Sequence, residues 1–139
     1  EVLDVIRGNF ERAKVSTYRV VGHEWGTDPA PLLRALSSSD GERFDNLILA
    51  DTLWVTEAQS ALLDSIYALL KADGVAHIAA GLHTGRAPLD RFVNAARERG
   101  ASIQKVREVR WNQGQWEAYE QPKDEQEERG VVVYYTLTI

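Results

Sequence analysis

The stretch NLILADTLWV, residues 46–55, decides the fold because an apolar run of strand length leads directly into an acid and an indole. Residues 47–50 are all apolar, which is typical of a strand covered on both faces, and strands beside such a strand are expected to be parallel. Asp51 and Trp54 follow at the C-terminal end of the predicted strand. Packing needs neither a carboxylate nor a large indole at that place, so both are candidates for a functional site.

The segments that follow this strand predict a helix and a second strand. Leucines and an isoleucine recur at helical spacing over residues 57–72, which predicts a helix with Thr56 as its cap and Gly74 just past its end. The run VAHIAAGLH, residues 75–83, is apolar and rich in small residues. It predicts a second buried strand.

The last third of the chain continues the same alternation. Apolar spacing over residues 89–96 predicts an amphipathic helix, with Pro88 near its start and Gly100 just past its end. SIQKVREV, residues 102–109, and VVVYYTLTI, residues 131–139, are rich in β-branched and aromatic residues. Both are predicted to be strands.

The first third of the chain is less apolar. Residues 2–10 carry an apolar stripe at helical spacing with charges opposite, which predicts a helix without a capping residue. Residues 14–21, KVSTYRVV, alternate and are predicted to be a strand that ends before the loop GHEWG. A short helix is predicted from Pro31 to Leu36, followed by a surface linker, SSSDGE.

The order of these elements predicts one α/β domain. Alternating helices and strands build a parallel sheet with helices on both faces, and the two consecutive final strands predict an antiparallel hairpin at one edge. A polar, charged connection over residues 112–129 joins these two strands, and the acidic KDEQEE within it is interpreted as a solvated loop or hairpin tip. Ligands of open sheets bind outside the carboxyl ends of the strands, and the loops GHEWG, ADTLW and HTGRA are predicted to meet there.

Composition narrows the possible functions. The chain has 139 residues, a formal net charge of −5 at pH 7 and no cysteine. The length suits one domain, and the excess of acids argues against nucleic-acid binding, which needs Lys and Arg gathered on one face. No segment is long and apolar enough to span a membrane. The lack of cysteine and a charged, helix-like start favour a cytoplasmic location without a disulfide framework.

Two tryptophans and one acid in the predicted rim loops have ligand-binding chemistry. Trp25 and Trp54 offer flat apolar faces with one donor each, suited to stacking on a heteroaromatic ring or holding a cation, although packing against a helix is an alternative for both. Asp51 can orient an amine and ease its deprotonation, since only the neutral amine is a nucleophile and free lysine has a pKa of about 10.4. Alternatively, Asp51 accepts backbone N–H groups of the following turn or caps the next helix.

The other polar residues of these loops favour no particular reaction. His23 and His83 lack the spacing of a metal site and are predicted to form hydrogen bonds or lie at the surface. The cluster HTGR, His83 to Arg86, either lines a substrate entrance or forms the turn into the next helix. The chain has no serine in a Gly-flanked elbow and no phosphate-binding glycine motif, which excludes a hydrolase or a kinase.

The chain resembles the C-terminal two-thirds of a seven-stranded S-adenosylmethionine-dependent methyltransferase. More narrowly, it is similar to lysine methyltransferase family sixteen, particularly fungal members described as nicotinamide N-methyltransferase-like or as methyltransferases of translation elongation factor 1-alpha. The segments that carry the resemblance, in the family's order, are VVGHEWG, FDNLILADTLW, ALLDSIYALLKADG, IAAGLHTGRAPLDRFV and the closing strands. The resemblance implies a Rossmann-like, mostly parallel sheet in the strand order three-two-one-four-five-seven-six. It also implies S-adenosylmethionine as cofactor and a protein substrate, with a translation factor among the candidates.

The resemblance also implies roles for particular residues. Trp25, with Gly26 beside it, would bind the adenine end of the cofactor, and Ala50 and Asp51 would border both the cofactor and the methyl-acceptor channel. The family's motif of an acid, two residues and an aromatic appears as Asp51 to Trp54, with Trp where Tyr or Phe is commoner. Asp51 and Trp54 are therefore the implied catalytic residues. Methyl transfer depends chiefly on alignment in a dry pocket, which an acid and an aromatic can supply.

One departure from the family concerns its cofactor-binding motifs. Such enzymes hold the cofactor on a Gly-rich turn after their first strand and on an acid that ends the second, and this chain has neither motif. We therefore expect residues 1–139 to be a single methyltransferase domain that begins inside a larger one and lacks its first two strands. Unpaired strand edges and weakened cofactor binding would follow.

Three functions remain in competition. The first is an N-methyltransferase that acts on a protein lysine or an N-terminal amine. The second uses the same cofactor but methylates a small heteroaromatic such as nicotinamide. The third is a truncated, non-catalytic binding module. Calorimetry with the cofactor, and assays with both kinds of acceptor, discriminate among the three.

Overall fold

The computed structural model describes residues 1–36, 42–120 and 128–139, which form one mixed α/β domain. The helices are α1 (Val2–Arg12), α2 (Ala30–Leu33), α3 (Gln59–Leu69) and α4 (Ala87–Glu98). The strands are β1 (Phe44–Ala50), β2 (Leu70–Gly81), β3 (Ser102–Asn112), β4 (Gln115–Ala118) and β5 (Val131–Thr138). Single 3₁₀ turns at Thr56–Ala58 and Leu82–Thr84 precede α3 and α4. Most of the predicted SSSDGE and KDEQEE loops lies outside the described residues.

The five strands form a mixed sheet in the order β1-β2-β5-β3-β4. β1 and β2 pair in parallel, as predicted, whereas β5 pairs antiparallel with both β2 and β3, and β3 pairs antiparallel with β4. The predicted antiparallel pairing of the last two predicted strands, β3 and β5, is confirmed. Their position at the edge is not, because β5 inserts between β2 and β3 and β4 pairs with the outer side of β3. The order of β1, β2, β5 and β3 equals the four-five-seven-six part of the sheet that the resemblance implies.

The hydrophobic core lies between one face of the sheet and the helices α3 and α4. β5 shows the alternation clearly, because Val131, Val133, Tyr135 and Leu137 are buried while the residue after each of them is at least partly exposed. Phe92 of α4 and Leu63 of α3 are fully buried against this face. Burial of such side chains contributes about 1.5–3 kcal/mol each, so this layer dominates the stability of the fold.

The prediction of helices on both faces of the sheet is wrong for the described residues. α1 and α2 bury no residue, and Ile48 of β1 is 82% exposed on the face opposite the core. The apolar run of β1 correctly predicted a strand with a parallel neighbour. It did not reveal that only one face is covered, because an unbroken apolar sequence does not identify what packs on each side.

The predicted strand over residues 14–21 is absent from the structure. These residues form an irregular segment in which Tyr18 stacks on Phe10 of α1, with ring centroids 4.7 Å apart. An alternating sequence forms a strand only when a neighbouring strand supplies hydrogen-bond partners. The pattern in residues 14–21 did not specify such a partner.

Several element boundaries differ from the prediction. α3 ends at Leu69 and passes directly into β2, so Gly74 lies within the strand instead of after the helix. A Cβ at Gly74 would lie 2.9 Å from the carbonyl oxygen of Asp45, so the close approach of β1 and β2 requires a glycine there. Thr56 belongs to the 3₁₀ turn and does not cap α3.

Other boundaries agree with the sequence, and one strand was missed. α4 has a proline in its first turn, and Gly100 follows its C-cap with φ of 87°, as expected of a glycine that ends a helix. α2 forms as predicted but ends at Leu33. β4 lies in the polar connection over residues 112–129, where no strand is predicted from the sequence. No helix in the described ranges combines the length and the apolar character needed to cross a membrane.

Candidate functional site at the carboxyl ends of β1 and β2

Asp51 joins the ends of β1 and β2. Its backbone has φ of 54°, a left-handed conformation that few residues other than glycine adopt but that Asp tolerates. Its N–H donates to the Ala79 carbonyl at 2.7 Å, and its Oδ1 accepts the N–H of Gly81 at 3.0 Å. The side chain nevertheless stays 54% exposed. The carboxylate is thus fixed in orientation while remaining open to a ligand.

Gly81 allows an imidazole to approach this carboxylate. His83 Nδ1 lies 3.8 Å from Asp51 Oδ1. A Cβ at Gly81 would lie 2.8 Å from His83 Nδ1 and 3.3 Å from Asp51 Oδ1, so only glycine leaves both side chains where they are. The backbone donor to Asp51 therefore belongs to the neighbouring strand and not to the turn after β1, which was the structural alternative considered from the sequence.

A shallow crevice of about 370 Å³ opens beside these residues. Its walls are mostly small or apolar, and the charged groups among the described lining residues are one carboxylate and one guanidinium. The lining residues are Ala50, Asp51, Ala79, Gly81, His83, Arg129, Gly130, Val131 and Val132. The volume lies at the lower end of the range of small-molecule sites, so the crevice can hold part of a cofactor or a small acceptor.

The ADTLW loop after β1 has one side chain buried in the core and a neighbouring side chain exposed to solvent. Leu53 is buried in the core, whereas Trp54 is 52% exposed. Gln59, at the start of α3, donates from Nε2 to the Leu53 carbonyl at 2.7 Å and to the Pro88 carbonyl at 2.9 Å. Thr52 Oγ1 is buried and has no hydrogen-bond partner in the part of the chain that the structure describes.

The GHEWG loop is attached to α3. The Gly26 N–H donates to Ser65 Oγ at 2.8 Å, and His23 Nε2 lies 3.0 Å from the same oxygen. Gly26 has φ of 81°, and a Cβ there would lie 3.0 Å from the Cβ of Ala61, so the loop approaches the helix closely. Trp25 packs against the hydrophobic core.

The structure brings together only some of the predicted site residues. Ala50 and Asp51 line the crevice, whereas Trp25, Gly26 and Trp54 are not among the described residues that line it. Trp25 and Gly26 are held by the core and α3 instead. Residues 1–36, 42–120 and 128–139 contain no group of three His, Asp or Glu side chains that could hold a metal ion.

Arg86 forms an ion-pair clamp at the neighbouring end of the sheet. Its Nη1 and Nη2 donate to the two oxygens of Glu108 at 3.0 and 2.9 Å, and its Nε donates to Glu128 Oε1 at 2.9 Å. Lys105 adds a third hydrogen bond to Glu108 at 2.8 Å. These contacts tie the loop after β2 to β3 and to the segment before β5, which identifies Arg86 as part of the structural frame of the turn.

The clamp shifts the titration of its members. Hydrogen bonds from Arg86, followed by that from Lys105, lower the pKa of Glu108 to about 2 despite its burial. Hydrogen bonds to Glu108 and Glu128 raise the pKa of Arg86, which stays cationic. Sequence analysis missed this clamp because its partners lie 22 and 42 residues from Arg86 along the chain.

The five-stranded sheet, with its crevice at the carboxyl ends of β1 and β2, has a Rossmann-like methyltransferase fold. A solved structure with this fold is precorrin-6y C5,15-methyltransferase from Geobacter metallireducens GS-15, which matches with a TM-score of 0.57 over 97% of this chain and 60% of that one. At 16% sequence identity, this likeness concerns the fold alone.

A curated protein with a similar sequence is the protein N-terminal and lysine N-methyltransferase EFM7 of Gibberella zeae. The two are 34% identical over 103 residues, which cover 69% of this chain and 39% of that protein. The chain therefore spans less than half the length of this relative. No protein-family model matches the chain.

Proposed function

We propose that this chain is part of an S-adenosylmethionine-dependent N-methyltransferase whose acceptor is a protein amine, either a lysine side chain or an N-terminus. The observation that carries the proposal is the fixed, half-exposed carboxylate of Asp51 at the crevice, because an amine acceptor needs an anionic hydrogen-bond acceptor at that point. The similarity to a protein N-methyltransferase supports the acceptor class. A cytoplasmic location and a translation factor as substrate belong to the same proposal.

The crevice fits the sulfonium end of the cofactor. The missing Cβ of Gly81 and the small side chains of Ala50 and Ala79 leave space beside Asp51, and the carboxylate suits a cationic group. In this proposal the adenine lies outside the crevice, against the part of the Trp25 indole that the hydrophobic core leaves uncovered. The described residues include neither a Gly-rich turn after a first strand nor an acid at the end of a second. Binding to this chain alone is therefore expected to be weak.

The role of the chain's own residues is mainly to position the acceptor. When bound, S-adenosylmethionine supplies a methyl group on a cationic sulfur. Asp51 accepts a hydrogen bond from the amine and holds its nitrogen in line, while Gly81 fixes the carboxylate. Trp54 lies outside the crevice lining but follows Asp51 by three residues in the same loop and is half-exposed. In this proposal its indole contacts a cationic acceptor, an interaction worth about 0.5–1 kcal/mol at an exposed site.

Calorimetry of the 139-residue chain with S-adenosylmethionine tests this function. We expect weak but measurable binding that Asp51→Asn lowers about tenfold, because the cationic sulfonium loses the charge of its carboxylate partner. Asp45→Asn is the matched control, since Asp45 lies at the opposite end of β1 and pairs with Lys71 at 2.8 Å. Absence of heat at millimolar ligand, or equal losses in both variants, would contradict the proposal.

A small heteroaromatic acceptor is the second candidate, because a crevice of about 370 Å³ is large enough for such a ring. Methyl transfer to nicotinamide and to a lysine peptide, assayed side by side, separates the two acceptor classes. If cofactor binding is absent, the remaining candidate is the non-catalytic binding module.

A further inference from the structure

The hairpin of β3 and β4 exposes a pair of tryptophans that the proposed catalytic site does not use. Gln113 and Gly114, at its tip, have φ of 45° and 92°, the positive values of the tight turn that suits a twisted hairpin. Trp111 and Trp116 lie directly opposite each other, with ring centroids 5.3 Å apart and an interplanar angle of 71°. They are 55% and 56% exposed. The pair stabilises the hairpin but leaves most of both indoles in water.

The two faces of the hairpin differ in chemistry. On one face, Glu117 accepts hydrogen bonds from Asn112 Nδ2 at 2.9 Å and from Gln115 Nε2 at 3.0 Å, so the polar groups there pair with one another. The other face presents the two indoles. Exposed tryptophans grouped on one face are typical of an interaction surface, because they combine a large apolar area with a hydrogen-bond donor.

The pairing register places the indoles near the crevice. Gly81, Val132 and Val109 lie side by side on β2, β5 and β3, and Trp111 follows Val109 by two residues on the same face. With strands about 4.8 Å apart and a rise of about 3.4 Å per residue, Trp111 lies about 12 Å from Gly81. That distance corresponds to about four residues of extended chain. One polypeptide segment can therefore contact both the crevice and the indoles.

The exposed area and the charge indicate what kind of partner fits. The exposed parts of the two indoles amount to about 280 Å², whereas a stable dimer buries about 800 Å² per partner. The surface therefore suits a short segment rather than a second copy of the chain. The formal net charge of −5 favours a basic segment over an acidic one.

We propose that the Trp111–Trp116 hairpin binds a short, basic, extended segment of the protein that carries the methylated amine. An apolar side chain of that segment lies against the indoles, about four residues from the amine, and supplies part of the substrate specificity. This inference rests on the proposed function for the identity of the segment.

Fluorescence anisotropy of labelled peptides, measured without cofactor, tests the surface. The probe is a basic peptide of about nine residues with a central lysine and a leucine about four residues from it. We expect Trp111→Thr and Trp116→Thr to weaken binding about tenfold or more, because each indole is an anchor. Threonine keeps the strand propensity of the hairpin, and Trp111→Phe should keep most of the affinity. Val106→Thr is the matched control, as Val106 is 52% exposed on the same strand.

The outcomes separate this inference from the proposed function. Equal affinity in the wild type and both threonine variants would overturn the inference, as would tighter binding of an acidic peptide or no peptide binding at millimolar concentration. Self-association of the chain that Trp111→Thr abolishes would also overturn it. If peptide binding depends on the indoles but S-adenosylmethionine gives no heat, the peptide surface is supported and the methyltransferase function is contradicted. If S-adenosylmethionine gives heat but peptide binding does not depend on the indoles, the methyltransferase function is supported and the peptide surface is contradicted.

Discussion

Replacing Glu108 by Gln should destabilise the domain, because Glu108 is the centre of the Arg86 clamp. Its side chain is only 9% exposed and accepts two hydrogen bonds from Arg86 and one from Lys105. A pKa of about 2 against the ordinary 4.5 corresponds to about 3 kcal/mol between the ionised and protonated forms. Gln keeps the shape and one acceptor, so we expect a loss of about 2 kcal/mol in the free energy of unfolding at pH 7.

The pH dependence of this loss has a defined sign. Folding lowers the pKa of Glu108, so its stabilising contribution is complete above about pH 4.5 and disappears as the pH falls towards about 2. The difference between the wild type and Glu108→Gln should therefore shrink across this window and vanish at its acid end. Carboxylates outside the clamp titrate alike in both proteins and cancel from the difference.

Urea unfolding of both proteins, followed by far-UV circular dichroism at pH 7 and at pH 2.5, measures the effect. Glu117→Gln is the matched control, since Glu117 lies on the exposed strand β4 and its hydrogen bonds come from neutral amides. It should change the free energy of unfolding by less than about 0.5 kcal/mol. A Glu108→Gln protein as stable as the wild type at pH 7, or a difference that stays constant down to pH 2.5, would refute the reasoning.

Two further substitutions test contacts that frame the crevice. Gly74→Ala should lower the midpoint of thermal unfolding more than Gly81→Ala, because the new methyl group meets a backbone carbonyl in the first case and the movable His83 ring in the second. Thermal unfolding of both variants measures the two midpoints, and equal losses would contradict this prediction. Gln59→Leu should cost about 2 kcal/mol in the free energy of unfolding, since two buried carbonyls lose their donor. Gln104→Leu is the control in the same urea titration, because Gln104 is exposed. A loss in Gln59→Leu no larger than that in the control would contradict the role of Gln59 as donor to the two carbonyls.

Apolar patterns were sufficient to predict the elements that build the core. The runs in β1, β2 and β5 and the spacing in α3 and α4 all correspond to elements of the structure, with boundaries shifted by a few residues. These elements bury their own apolar residues, so their sequences carry the signal. Residues 14–21 lacked such a constraint, and β4 has a polar sequence whose pairing depends on the turn at Gln113 and Gly114.

The sequence predicted the acid of the candidate site but not the contacts between residues far apart along the chain. The acid at the end of an apolar strand identified Asp51, because an exposed carboxylate there needs an explanation that packing does not give. Its contact with Gly81 joins residues 30 positions apart, and the Ser65 contacts that hold the GHEWG loop span 39 and 42 positions. No local pattern encodes such contacts, since they depend on how β1, β2 and α3 pack together.

The backbone of Asp51 limits how this position can change. With φ of 54°, the residue both turns the chain at the end of β1 and supplies the negative charge of the crevice. Asn and Gly are the other residues that accept this conformation readily, and both remove the charge. Glutamate would keep the charge but strain the turn, and a β-branched residue would fail in both respects. Loss of the acid is therefore the easy mutational path at this position, whereas moving the charge elsewhere requires a redesigned loop.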